Sequence, residues 1–291
     1  MGFNTFELIT LQQYWWIIIS LLGGLFVFIM FVQGGQTLID KLSENEIEKT
    51  MLINSIGRKW ELGFTTLVLF GGALFAAFPL FYATSFGGAY WVWLSILFCF
   101  IIQAVSYEFR TKPNNFLGQK TYETFLKING NIGTFLLGVA ISTFFSGSEF
   151  IVDSNNFVLW QNSLRGLEAL LNPYNYLLGF SLVFLAKISG ALYFINNIDY
   201  EAIKHKAIES IKINMIFFLI FFLSFMACIL LKDGFSIDEN AVVFMKEYKY
   251  LENFLQMPLV LAMFLIGVLM VIISVFITIT FKKTCCIKTG G

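Results

Sequence analysis

Seven blocks of apolar residues, each about twenty long, constrain this chain more than any other feature. The hydrocarbon core of a bilayer is about 30 Å thick, and a helix needs about twenty residues to cross it. The blocks predict spans at Tyr14–Leu38, Leu62–Tyr82, Ala89–Tyr107, Phe125–Phe145, Asn175–Ile195, Ile211–Leu231 and Met257–Phe281. Their apolar residues run continuously instead of alternating, which disfavours a membrane β-barrel. The expected fold class is all-α, a polytopic transmembrane helix bundle of seven spans. Residues 1–281 form a single helical domain, and 282–291 form a short cytoplasmic tail. Only 13% of the residues are charged, against about a quarter in soluble domains, so an ordinary soluble enzyme is excluded. The segment Met1 to Gln13 has no Lys or Arg, and the positively charged start of a signal peptide is therefore missing.

The basic residues orient the bundle. Lys41, Lys49, Arg58, Lys59, Arg110, Lys112, Lys120, Lys127, Lys204, Lys206, Lys212, Lys282, Lys283 and Lys288 fall on one side, leaving Arg165, Lys232, Lys246 and Lys249 on the other. By the positive-inside rule the N-terminus lies outside and the C-terminus in the cytoplasm. Trp15, Trp16 and Trp91 then sit at outer helix ends and Trp60 at an inner one, as amphipathic rings prefer. In the long outer loop, Leu164, Leu167, Leu170 and Leu171 recur at helical spacing, predicting a short surface helix that Pro173 ends. The outer segment Lys232 to Gln256 carries no clear pattern.

Nineteen basic and nineteen acidic residues cancel, so no basic face exists for nucleic acid. The single histidine, His205, lies in a charged stretch, and a haem held by two histidines of this chain alone is impossible. Cys99 and Cys228 read as small apolar residues, while Cys285 and Cys286 are adjacent in the tail, so no metal framework forms. The many Phe residues read as lipid-facing or core, not as cofactor boxes.

Gly130, Thr134, Gly138 and Ser142, spaced by four, make a seam of small residues along span four on which another helix can pack closely. Ser20 with Gly24, and Gly72 with Ala76, repeat the idea. Charges at membrane depth are costly, and each is a functional candidate. Glu61 follows Trp60 at the inner end of span two, and Glu108 closes span three at the same level. Partial burial would raise such carboxyls towards the range where protons are loaded and released near neutrality. The plainer alternative pairs them with Arg58, Lys59 or Arg110. Ser95, Cys99, Gln103, Ser106 and Arg110 share one stripe of span three, suited to a water file or to a neighbouring helix. Gln33 and Gln36 flank two glycines at the inner end of span one, beside backbone that a partner or ligand can approach. Lys187 is the deepest charge, about eight residues or roughly 12 Å from the inner end of span five. Either it meets an anionic partner or it sits near neutral.

The stretch Met51-Leu-Ile-Asn-Ser-Ile-Gly-Arg-Lys-Trp-Glu61, with Gly71-Gly-Ala-Leu-Phe-Ala-Ala-Phe-Pro-Leu-Phe-Tyr-Ala-Thr84, closely resembles subunit II of cytochrome bd-type quinol oxidases. Trp15-Trp16 and Val105-Ser-Tyr-Glu-Phe-Arg110 extend the likeness, and Arg165-Gly-Leu-Glu-Ala-Leu170 is similar to the family's outer loop. The resemblance implies a multi-pass protein of the bacterial inner membrane, in a heterodimer whose subunit I carries haem b and haem d and oxidises quinol. Subunit II itself binds no haem. It also implies that Glu61 lies on a route feeding cytoplasmic protons to oxygen reduction, with Glu108 further along. Many members carry Asp-Gly-Phe-Asp where this chain has Gln33-Gly-Gly-Gln36, and aspartate in place of Glu61 and Glu108. Members usually have two further spans, so the tail at 282–291 reads as a truncation or frameshift scar. The competing classes are a secondary transporter built around Lys187, which predicts an inverted repeat that the spans do not show, and a purely structural assembly subunit.

Overall fold

The computed structural model describes residues 5–238 and 242–281; the expectation about the tail at 282–291 lies outside them. Among the described residues, seven helical spans are long and apolar enough to cross a membrane: Thr10–Leu42, Glu46–Ala77, Tyr90–Phe109, Gln119–Ser146, Pro173–Asn197, Glu201–Leu230 and Pro258–Thr280. Each overlaps one block read from the sequence, and several run on past the bilayer length at their inner ends. The first comprises α1 (Thr5–Ile29) and α2 (Phe31–Leu42), broken at Met30. The second comprises α3 (Glu46–Gly57) and α4 (Trp60–Ala77). Asn45 caps α3 by accepting from Glu48 N at 2.9 Å, while the Glu48 carboxylate accepts from Glu44 N at 2.7 Å. This reciprocal cap starts a helix with polar residues in water before the apolar run begins.

The expected span Leu62–Tyr82 does not continue as one helix, because Pro79 lacks the N–H needed to carry it on. The chain forms a short α5 (Pro79–Tyr82) and a wide π turn at Ala83–Gly88, then enters α6 (Tyr90–Phe109). The fourth span is α7 (Gln119–Ile128) and α8 (Thr134–Ser146), joined by a second π turn at Asn129–Gly133. Next come α9 (Pro173–Asn197), opened by the Asn172 cap and by Pro173 in the first turn, and α10 (Glu201–Leu230). A short α11 (Lys249–Gln256) precedes α12 (Pro258–Phe281).

Outside the spans the sequence reading needs correction. The surface helix expected around Leu164–Leu171 is only a 3-10 turn at Leu167–Leu171, because Arg165 and Gly166 adopt left-handed backbone (φ 37° and 98°) that interrupts any helix there. Two antiparallel hairpins also form: β1 (Phe150–Val152) with β2 (Val158–Trp160), and β3 (Gly234–Ile237) with β4 (Val243–Lys246). These strands are three or four residues long and lie outside the membrane-length helices.

The core is organised around α9, which packs on α2, α8 and α10. Small residues make these crossings. A Cβ at Gly34 would lie 1.8 Å from the Ala186 carbonyl oxygen, one at Gly190 would lie 2.4 Å from Gly35 N, and one at Gly138 would lie 2.7 Å from the Gly179 Cα. The backbone that the Gln33–Gln36 segment exposes is thus taken by α9 of the same chain. The seam on span four is used as expected, since Gly130 abuts the Gln33 carbonyl and Gly138 abuts Gly179. By contrast, Gly24 and Gly72 have nothing within 4 Å where a Cβ would stand, so those two seams face away from the chain's own helices.

Candidate functional site at the cytoplasmic edge

The inner ends of α2, α3, α6 and α7 converge on a cluster of charges. Arg110 and Glu123 are almost fully enclosed, and the Glu123 carboxylate accepts from Arg110 Nε at 3.0 Å and Nη2 at 2.7 Å. Gln119 donates to the same carboxylate at 2.9 Å, and Lys49 approaches it at 3.3 Å. Lys49 also sits 3.6 Å from Asp40 and 3.3 Å from Glu46, and Lys127 pairs with Asp40. Lys206 at the start of α10 reaches Glu44 at 2.8 Å. Basic residues assigned to the cytoplasmic side by charge counting therefore meet at one end of the bundle. Sequence reasoning missed Glu123 and Asp40. The signal for Glu123 was available, since Tyr122, Glu123, Leu126, Asn129, Gly130 and Gly133 fall on one helical face.

Arg110 is committed to Glu123, so the ion pairs expected in the plainer reading of Glu61 and Glu108 do not form, while their solvation at the interface stands. Neither carboxylate forms a hydrogen bond or ion pair among the described residues, and both are exposed. They are tied to one level by the residues before them: Trp60 stacks on Tyr107 with centroids 6.2 Å apart and planes at 12°. Tyr107 in turn accepts from Gln36 Nε2 at 3.1 Å. Each acid ends an exposed stripe. On α4 the stripe is Glu61, Thr65, Val68, Gly72 and Phe75, and on α6 it is Glu108, Val105, Ile101, Phe98 and Leu94.

Above this edge the interior holds uncharged polar groups. Gln33, Gln103 and Asn129 are buried, and their side-chain amides have no hydrogen-bond partner among the described residues. The Asn129–Gly133 π turn lies between α2 and α6, with Gly130 against Gln33 and Gly133 against Cys99. π turns of this kind often mark functional segments of helices. The other stripe residues of α6 are locally satisfied: Ser95 donates to the Trp91 carbonyl at 2.8 Å and Ser106 to the Ile102 carbonyl at 2.6 Å. The stripe thus divides into Arg110 at an ion pair, Gln103 in the polar interior, and two serines bonded to their own helix.

Lys187 is half-buried on an unbroken stretch of α9, its Nζ 5.5 Å from the Phe184 ring centroid. No carboxylate pairs with it among the described residues. The helix breaks lie elsewhere, at Met30, at Arg58 and Lys59, at residues 78–88 and at Asn129–Gly133, so Lys187 is not set in the unwound segment that a transporter site would use. His205 is exposed near the start of α10, with Nδ1 3.8 Å from Glu209. Among the described residues no three His, Cys, Asp or Glu side chains converge as a metal site requires.

Seven apolar helices of membrane length, with two exposed carboxylates at the ends of apolar stripes, define a polytopic integral-membrane protein. Residues 11–288 match the family model described as cytochrome bd terminal oxidase subunit II. The chain belongs to that family and is a multi-pass protein of the bacterial inner membrane. It is 28% identical over 261 residues to a probable cytochrome oxidase subunit 2 of Haemophilus influenzae, covering 86% of this chain and 68% of that protein. It is 32% identical over 147 residues to the cytochrome bd ubiquinol oxidase subunit 2 of Bacillus subtilis, covering 50% of this chain and 44% of that one. With the cytochrome bd-I ubiquinol oxidase subunit 2 of Escherichia coli it shares 29% identity over 184 residues, or 63% of this chain and 48% of that one. The matched region thus spans about half the length of the last two relatives.

Proposed function

We propose that this chain serves as subunit II of a bd-type quinol:oxygen oxidoreductase, supporting a haem-bearing subunit I in a heterodimer and supplying the cytoplasmic mouth of its proton route. The observation that carries this reading is the placement of Glu61 and Glu108, unpaired and exposed at the inner ends of two apolar stripes. A carboxylate facing lipid is costly. Coverage by a partner chain converts the same position into a desolvated acid that takes up and gives up protons. Gly72, open within the α4 stripe, suits the close approach of a partner helix.

In this reading haem b and haem d belong to subunit I and supply the electron transfer from two quinols to oxygen. This chain's part is confined to protons and packing. Glu61 receives a proton from the cytoplasm, and the Trp60–Tyr107 stack holds it level with Glu108. The Arg110–Glu123 pair anchors α6 so that neither acid is drawn into an internal salt bridge. The unpartnered amides of Gln33, Gln103 and Asn129 are groups that a file of water could hydrogen-bond. The bundle at 1–281 acts as one domain.

In the assembled complex, Glu61→Gln is expected to slow quinol-driven oxygen consumption while leaving haem content intact, and unchanged turnover dismisses the proton role. Purified alone, the chain is expected to show no haem absorbance; a haem spectrum would overturn the division of labour. The purely structural alternative is favoured if Glu61→Gln with Glu108→Gln leaves turnover untouched.

A further inference from the structure

A cavity of about 560 Å³ opens beside the junction of α3 and α4, with Met51, Asn54, Arg58, Lys59 and Ile198 on its wall. None of Glu61, Glu108, Arg110 and Glu123 is among its lining residues. Its two cations, Arg58 and Lys59, form no ion pair among the described residues. Lys49, Arg110, Lys127, Lys204 and Lys206 on this side have acidic partners, while Lys41, Lys112, Lys120 and Lys212 have none among the described residues; what distinguishes Arg58 and Lys59 is that both line one cavity. The one acid on the wall, Asp199, is bonded to Lys204 at 2.5 Å. Two hydrogen bonds cross the polar wall: Asn197 Nδ2 donates to Ser55 Oγ at 2.5 Å, and the Tyr193 hydroxyl donates to the Ser55 carbonyl at 3.2 Å. Tyr193 is further fixed by stacking on Phe31, with centroids 4.3 Å apart.

Depth decides what such a site meets. Helix α4 has 18 residues, about 27 Å at 1.5 Å per residue, close to the roughly 30 Å of the hydrocarbon core. Arg58 and Lys59, immediately before it, therefore stand at the level of the cytoplasmic headgroups. Trp60 and Tyr193 beside them are rings of the kind that settle at that level. Basic pockets between helices on this side are suited to anionic headgroups, and a guanidinium presents paired donors to phosphate oxygens.

We propose that this cavity binds a phosphate group through Arg58 and Lys59, with Asn54 as a further donor, and that at this depth its source is the headgroup of an anionic phospholipid. The apolar side of the cavity, Met51 and Ile198, receives the start of the acyl chains.

The test uses the full chain, purified with its natural partners in a zwitterionic detergent. Thermal unfolding is followed while short-chain phosphatidylglycerol, short-chain phosphatidylcholine or inorganic phosphate is titrated in. Phosphatidylglycerol is expected to raise the midpoint saturably, with phosphatidylcholine inert. The double variant Arg58→Gln, Lys59→Gln is expected to bind about twenty-five-fold more weakly, at roughly fivefold per cation near the membrane surface. A control variant, Lys112→Gln with Lys120→Gln, removes the same charge from the same side and is expected to keep the response. Inorganic phosphate protecting as strongly as the lipid overturns the lipid source but keeps the phosphate site. An equal response of wild type and double variant, or an equal loss in the control, overturns the site itself. If the double variant is unfolded before any titration, Arg58→Lys, which keeps the charge but loses the paired donors, is read instead. A several-fold loss of affinity supports the site, and an unchanged affinity overturns it.

Discussion

The Arg110–Glu123 pair permits a quantitative test of how the inner edge is held. Both side chains are nearly enclosed, with 5% and 7% of their surface exposed. Replacing Glu123 by Ala removes an acceptor of two Arg110 hydrogen bonds, at 3.0 Å and 2.7 Å. A buried guanidinium is left without its counter-charge, which costs about 3–5 kcal/mol. Lys49 loses less, because it keeps Asp40 and Glu46 at 3.6 Å and 3.3 Å, and such exposed pairs are worth about 0–1 kcal/mol. The expected cost is therefore about 3–5 kcal/mol, concentrated on Arg110 and comparable to a large part of a domain's whole stability. Replacing both partners, Arg110→Leu with Glu123→Leu, removes both charges and is expected to cost far less than Glu123→Ala alone, since apolar replacement of a buried pair is often neutral. The assay is equilibrium unfolding in mixed micelles with a rising fraction of denaturing detergent, run on Glu123→Ala and, as a mutant cycle, on Arg110→Leu, Glu123→Leu and their double. A cost for Glu123→Ala below about 1 kcal/mol, as at a solvated surface pair, refutes the burial argument. So does a double variant whose loss equals the sum of the singles.

Further predictions concern packing, the polar interior and pH. Gly34→Ala would place its Cβ 1.8 Å from the Ala186 carbonyl, so α2 must move off α9; a loss of at least about 1–3 kcal/mol is expected from such overpacking, whereas Gly72→Ala, with nothing within 4 Å, is expected to leave the isolated chain's stability unchanged in the same assay. Gln103→Leu removes a buried amide that has no partner among the described residues, so it is expected to be neutral or stabilising by about 1 kcal/mol; a clear destabilisation would show that the amide is bonded. Outside the spans, the hydrogen bond and charge of Lys206 hold the Glu44 carboxyl below its ordinary value of 4.5. A lowered acid contributes stability above its unfolded pKa and loses it as pH falls through the folded value. Lys206→Gln is expected to return the Glu44 titration upward when followed by carbon NMR of the carboxyl, and an unmoved midpoint would refute the pairing.

The sequence alone determined that this chain is a seven-span helical bundle and that it resembles subunit II of the bd oxidases, and its basic residues gave the expected orientation. The physical reason is that the bilayer imposes its thickness on each apolar block and the basic residues record the side on which each loop stays. These constraints act locally and are legible residue by residue. The seam at Gly130, Thr134, Gly138 and Ser142 was legible for the same reason, since small residues at a spacing of four mean close packing wherever they occur. What the chain could not declare by itself was partnership. Arg110 was one of three candidate partners for Glu61 and Glu108, and only the tertiary structure gave it to Glu123, thirteen residues further on, leaving both acids unpaired. The same holds for the Gln33–Gln36 segment, whose glycines signalled a close approach without saying by what, until the packing of α9 supplied it. The shortened helix before Pro79 and the left-handed turn at Arg165 and Gly166 were misread because helical spacing of leucines or phenylalanines says which face is apolar, not whether the backbone continues. Which polar side chain meets which depends on how seven helices cross, and that is settled by contacts between residues far apart in the chain.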